Sequence, residues 1–177
     1  MVAQCFYNGS KESERPATNH LLEQGSLYGQ KLTMDALHLI SLTLHSINAA
    51  SGVYVVGLKA NQAHLYRYCI CRSLFDNSDY ERVDKQKKHH GRLDQRTCRC
   101  FSLKPLALAP RWKDAVVATL IRVERYRRQA GVVSEAASYF VSNRGSGSQS
   151  AADELFTAIR QHWGIEGDAS QTGRNLI

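Results

Sequence analysis

No stretch of this chain approaches the roughly 20 consecutive apolar residues that a membrane-crossing helix needs. Its first residues, Met1-Val-Ala-Gln-Cys5-Phe-Tyr-Asn8, lack the charged and apolar regions of a secretion signal. These two absences place the expected compartment in the cytoplasm, with no membrane partner. The cysteines do not pair off either. There are five, Cys5, Cys69, Cys71, Cys98 and Cys100, and an odd count without a secretion signal argues against a disulfide framework. Acidic residues are in deficit, with 16 Asp and Glu against 23 Lys and Arg and a net charge of +7. That balance favours a polyanionic partner, with nucleic acid first among the candidates.

What is present fits a folded domain. With 177 residues, 43% of them hydrophobic and 22% charged, the chain is long enough for one real core. Four cysteines form two Cys-x-Cys pairs, at 69/71 and 98/100. Zinc sites more often use a gap of two to four residues. On a strand, a one-residue gap puts both thiols on one face, where they pack as small apolar groups. A zinc module is therefore the minor reading.

In chain order, Val2 to Tyr7 reads as a strand, Asn8-Gly9-Ser10 as a turn, and Ala17 to Gln24 as a helix opened by Pro16 and ended by Gly25. Lys31 to Met34 is a short apolar strand that ends on Asp35. Open α/β sheets bind ligands at the C-terminal ends of their strands, so Asp35 is the first candidate for chemistry. The competing role for it is a cap on the next helix. Leu37, Leu39, Ile40, Leu42, Leu44, Ile47 and Ala50 are spaced for one amphipathic helix, ending at a Ser51-Gly52 C-cap. Val53 to Leu58 is a continuous apolar run of the kind buried on both faces of a parallel sheet. Strand, helix and strand make a βαβ unit with a right-handed crossover. Lys59-Ala-Asn61-Gln62 closes it and leads into a helix from about Ala63 to Phe75.

From Asp76 to Arg99 the chain turns polar and basic, with Lys85, Lys87, Lys88, His89, His90, Arg92, Arg96 and Arg99 close together. This is either a solvated loop with an edge strand or a phosphate-contacting patch. Leu93 to Phe101 alternates like a strand. Pro105 and Pro110 frame a linker, Ala115 to Val123 continues as a strand to Arg128, Gly131 turns, and Ala136 to Val141 returns. Residues 80–143 thus read as an antiparallel β-rich segment. Asn143 to Ser150 reads as a flexible loop. Ser150 can cap a helix from Ala151 that places Leu155, Phe156, Ile159 and Trp163 on one face. Glu166 follows His162 by four residues, and the polar tail from Gly167 onward is expected to be disordered.

Five of these pieces together resemble the DDE transposases of bacterial insertion sequences, in the branch that includes the H-repeat-associated proteins. They are Leu-Thr-Met-Asp35-Ala-Leu-His; Gly-Val-Tyr-Val-Val-Gly-Leu-Lys59-Ala-Asn61-Gln62; His90-Gly-Arg92-Leu-Asp94-Gln-Arg96; Arg122-Val-Glu-Arg125 with Tyr139-Phe-Val-Ser142; and Arg160-Gln-His162-Trp163-Gly-Ile-Glu166. Lys11 to Ala17 looks like a variant of the segment before the catalytic strand. The match spans residues 2–166 in the family's order.

The resemblance implies an RNase H-like α/β core, here incomplete: a βαβ unit within residues 1–75, a β-rich antiparallel insertion over 76–143, a catalytic-type helix over 144–166, and a disordered tail over 167–177. It makes Asp35 and Glu166 the second and third catalytic and metal-binding carboxylates. It also implies Mg2+ or Mn2+, because two divalent ions about 4 Å apart clamp the oxygens of an in-line phosphoryl displacement. The ends of an insertion sequence become the DNA partner. Lys59, Asn61, Gln62, Lys87, Lys88, His90, Arg92, Arg160, His162 and Trp163 become candidate DNA contacts. Lys59 to Gln62 also suit a capping loop, and Trp163 suits the core.

Two departures shape the functional expectation. The family's first acid lies on an earlier strand than any here, and the family's long apolar helix after Glu166 gives way to Gly167. The chain is therefore expected to be a transposase fragment, inactive in strand cleavage alone and prone to aggregation through exposed sheet edges. Its alternatives are a non-catalytic DNA-binding fragment, an inhibitor that joins a full-length transposase, or an enzyme whose partner supplies the first acid. A homodimer is the expected assembly of such proteins.

Overall fold

The computed structural model describes the backbone of residues 27–89, 92–129 and 131–172, with side chains described for 27–84, 93–129 and 131–162. The strand read at Val2–Tyr7, the helix read at Ala17–Gln24 and the Lys11–Ala17 segment lie outside the described residues.

Lys31–Met34 (β1) and Val53–Leu58 (β2) pair in parallel, joined by a 3-10 turn at Ala36–His38 and a helix at Ser41–Ala49 (α1). A second helix, Ala63–Phe75 (α2), follows β2. Four long antiparallel strands come next: Tyr80–His89 (β3), Arg92–Ser102 (β4), Thr119–Gln129 (β5) and Val132–Ser142 (β6). A short helix at Pro110–Asp114 (α3) interrupts them, and Gln149–Thr172 (α4) closes the described chain. All the described strands belong to one six-stranded mixed sheet in the order β1-β2-β6-β5-β4-β3. The architecture is mixed α/β, with β6 returning to pair antiparallel with β2.

Strand alternation divides the core in two. Tyr54, Val56, Phe101, Leu120 and Val141 face α1, α2 and α3, together with Leu44, Leu65 and Trp112. Val55, Cys100, Ile121, Val123 and Phe140 face α4, which covers them with Ala152, Leu155, Phe156 and Ile159. The apolar run at Val53–Leu58 is thus buried on both faces, as its composition demands, although its neighbours are one parallel and one antiparallel strand.

Several local expectations are corrected. The single helix read from Leu37 is split, because Leu39 and Ile40 leave helical geometry and α1 starts only at Ser41. Leu42, counted in the apolar spacing of that helix, is 73% exposed. The helix end at Ser51-Gly52 is a C-cap, but the left-handed residue is Ser51 at φ 59, not the glycine. The linker framed by Pro105 and Pro110 holds a 3-10 turn at Pro105–Ala107 and leads into α3, whose Trp112 is buried, and β5 begins at Thr119 rather than Ala115. The loop before α4 is tied down: Ser146 is buried, and the Thr119 hydroxyl donates to the Arg144 carbonyl at 2.7 Å. The α4 cap is Ser148, whose Oγ accepts from the Ala151 amide at 3.2 Å, two residues earlier than Ser150. The helix does not stop at Gly167; it runs to Thr172, since a glycine costs a helix only about 1 kcal/mol and no proline intervenes.

Candidate functional site

Because β1 and β2 are parallel, their C-terminal ends meet at one edge of the sheet, and Asp35 and Lys59 are the first residues past those ends. Asp35 caps the 3-10 turn, its Oδ1 accepting from the Ala36 amide. The same oxygen lies 3.4 Å from the Lys59 ammonium, with both side chains well exposed. Asn61 Nδ2 donates to the Ala36 carbonyl at 3.4 Å and Gln62 Nε2 to the Leu39 carbonyl at 3.1 Å. Arg111 donates in turn to Gln62 Oε1 at 3.3 Å. The two amides therefore brace the turn that carries Asp35. Gly57 permits the close approach, since a Cβ there would lie 3.1 Å from the Ala36 nitrogen.

The long helix completes the site. Past its buried stretch at Phe156 and Ile159, α4 brings His162 to the Asp35 edge, where the two share a cavity of about 390 Å³ with Lys59, Tyr66, Ser138 and Tyr139. Tyr66 and Tyr139 meet edge-to-face, ring centres 5.9 Å apart, and close one side. Trp163 and Glu166 lie on the same helix just beyond His162, with side chains outside the described set. Another cavity, about 730 Å³, runs between β1 and α4 past Lys31, Thr33, Glu154 and His162. The Lys31–Glu154 pair at 3.0 Å crosses it, and Lys31 holds the Glu154 carboxyl below its ordinary pKa.

The structure thus gathers Asp35, Lys59, Asn61, Gln62 and His162 at one edge. Arg160 points elsewhere, to Asp84 of β3 at 3.3 Å. Lys87 and Lys88 lie toward the far end of β3 and Arg92 begins β4, while His90 is outside the described residues. That far end is close to the site in one respect. Leu58, the last residue of β2, pairs with Tyr139, so residues 132–138 of β6 continue past the Asp35 edge for about 23 Å at the usual strand rise. The β3–β4 and β5–β6 hairpins form an apron that overhangs the site. Gly57, Tyr66, Ser138 and Tyr139 were not among the candidate site residues read from the sequence, although Gly57 and Tyr139 lie in the quoted motifs. A glycine inside a buried strand was the one available signal, since it marks close backbone approach.

A divalent cation does not fit the described residues. Mg2+ takes several hard oxygen ligands, and among the described residues Asp35 is the only carboxylate that lines its cavity, already engaged by an amide and an ammonium. Among the described residues, no three His, Cys, Asp or Glu side chains gather to hold a metal. Nor do the Cys-x-Cys pairs make one zinc site: Cys69 belongs to α2 and is buried in the core on that side, while Cys98 and Cys100 lie under α4 on the opposite face of the sheet. Burial pushes the Cys69 and Cys100 thiols up to about 12 and Cys98 to about 11. A zinc site needs thiolates, which burial disfavours here.

No helix among the described residues is long and apolar enough to cross a membrane. No family model matches this chain, and no curated protein matches it.

Proposed function

We propose that this chain is a DNA-binding protein of DDE-transposase ancestry, which holds DNA across the Asp35 edge and does not cut it unaided. One observation carries the reading. A carboxylate ends the first strand of a parallel pair, a β-rich hairpin array follows, and the last helix returns across that same edge with His162 in the Asp35 cavity. That order of parts is the one expected for an incomplete RNase H-like core with a β insertion. The basic apron beside the cavity supports a polyanionic ligand, as does the net charge of +7. Two-metal strand cleavage needs several carboxylates converging on the ions, and the described residues bring one to the cavity.

The test incubates the purified chain with duplex DNA and Mg2+ or Mn2+, beside Asp35→Asn and Glu166→Gln. We expect DNA retention that weakens steeply with salt, without nicks, in all three proteins. Nicking lost in both variants would overturn the non-cleaving assignment. Absence of retention by a folded protein would overturn DNA binding itself.

A further inference from the structure

A strand at the edge of a sheet leaves a row of N–H and C=O groups unpaired, and proteins blunt such edges by shortness, charge, proline or a bulge. Two edges of this sheet are blunted. β1 has only four residues. β3 carries a bulge between Asp84 and Lys87, and six of its ten residues are Asp, Glu, Lys or Arg.

A third edge is bare. β2 ends at Leu58, opposite Tyr139, whereas β6 pairs with β5 all the way to Val132. Among the described residues, 132–138 of β6 therefore have a strand on one side only, and all seven are exposed. They read Val-Val-Ser-Glu-Ala-Ala-Ser, with one charge and no proline. Their pairing with β5 has no bulge. Val132 is 70% exposed and Val133 50%, and both are β-branched residues that favour strand pairing.

The stretch is complementary to itself. Two copies related by a two-fold axis pair antiparallel, and side chains opposite one another share a face of the sheet, so the axis falls level with a residue rather than between two. An axis at Glu135 would set two carboxylates directly opposite, which destabilises a strand pair. An axis at Val133 would pair only residues 132–134. An axis at Ser134 sets Ser134 opposite Ser134 of the second copy, Val133 opposite Glu135, and Val132 opposite Ala136. No like charges are then directly opposed, and both exposed valines gain a neighbour. The Gly131 turn comes level with Ala137 of the second copy, and Lys59, the residue after β2, bounds the space beyond it.

We propose that residues 132–136 of β6 pair antiparallel with the same residues of a second copy of this chain, about a two-fold axis at Ser134, joining two six-stranded sheets into one. This gives a surface to the homodimer expected from the sequence. The inference does not depend on the DNA-binding reading above.

The test is sedimentation equilibrium of the full chain in about 0.3 M salt, where the net charge of +7 is largely screened. The variants are Ser134→Lys, Ser134→Glu, their equimolar mixture, and Val83→Lys on the β3 edge. The wild type is expected to show a monomer–dimer equilibrium. Each Ser134 variant sets like charges opposite one another at the axis and should weaken association at least about fivefold. Circular dichroism should show both folded, because Ser134 is exposed. The mixture should restore dimers, since lysine then meets glutamate, a rescue confined to the residue on the axis. Val83→Lys should associate like the wild type. Association that survives both Ser134 variants, or that Val83→Lys abolishes, would overturn the β6 interface, as would open-ended assembly in place of a dimer. A mixture that stays monomeric while both variants are folded would overturn the axis at Ser134. A folded wild type that stays monomeric would overturn the second copy as occupant and leave the edge to a strand of another protein.

Discussion

Ser51 and Val116 each end a helix in the left-handed region, at φ 59 and φ 54. Both caps have the same double hydrogen bond. Ser51 donates to the Asn48 carbonyl and Gly52 to the Ile47 carbonyl, both at 2.9 Å; Val116 donates to Lys113 at 2.9 Å and Val117 to Trp112 at 3.1 Å. A side chain in this conformation is strained, a β-branched one most of all. Ser51→Gly is expected to stabilise the protein by about 0.5 kcal/mol, and Val116→Gly by about 1 kcal/mol, after allowing for the entropy glycine adds to the unfolded chain. Thermal melting checks both, and Val116→Gly melting below the wild type would contradict the strain. The sequence suggested a C-cap near residue 51 from the presence of Gly52. It could not show that the glycine answers a different need: a Cβ at Gly52 would lie 2.9 Å from Ile47 Cγ2.

At the scale of elements, α4 joins the core to the site. Leu155, Phe156 and Ile159 were legible as one face from their spacing, and all three are buried against the sheet. Ile159→Ala leaves a void between helix and strands and is expected to cost about 3 kcal/mol. Exposed Thr157, whose hydroxyl donates to the Asp153 carbonyl, should tolerate alanine within about 0.5 kcal/mol. Urea midpoints for the two variants measure the difference, and equal midpoints would mean that α4 is not docked as described. The β-rich segment was legible too, because β4 alternates, β5 begins as a long apolar run, and Gly131 marks the turn to the returning strand. The split of α1 from the preceding 3-10 turn was not. Leu37, Leu39 and Ile40 continue the helical spacing, and only the packing of the Asp35 turn against Gly57 breaks the helix there.

For the whole molecule, burial of three thiols couples stability to alkaline pH. In the folded state Cys69, Cys98 and Cys100 keep their protons above the ordinary thiol value of 9.0, whereas the unfolded chain releases them. The native state then binds more protons, so stability falls as pH rises. That contribution is complete below about pH 9 and is lost progressively as pH climbs through 11 to 12. Denaturation followed from pH 7 to 11 should show this decline, shallower in Cys100→Ala. Among the four described cysteines, native alkylation is expected to reach exposed Cys71 first and the three buried thiols only as the chain unfolds. Prompt labelling of Cys98 or Cys100 would contradict the close packing beneath α4.

Local pattern by itself determined the elements. Apolar runs and alternation named β2, β4 and β5, the 3.6-residue spacing named α4, and the turn after a short strand singled out Asp35, because these signals depend only on near neighbours along the chain. It could not determine which cations share a face or which side chains meet. The parallel pairing of β1 with β2 puts Lys59 beside Asp35, although 24 residues separate them. The return of β6 to β2 continues the basic hairpins past that edge. The docking of α4 brings His162 to the Asp35 cavity and turns Arg160 toward Asp84. Strand register, fixed by which face must be buried, sets Arg96 opposite Arg125. These relations follow from burying both faces of one sheet at once, a condition on the whole chain that no short stretch of sequence contains.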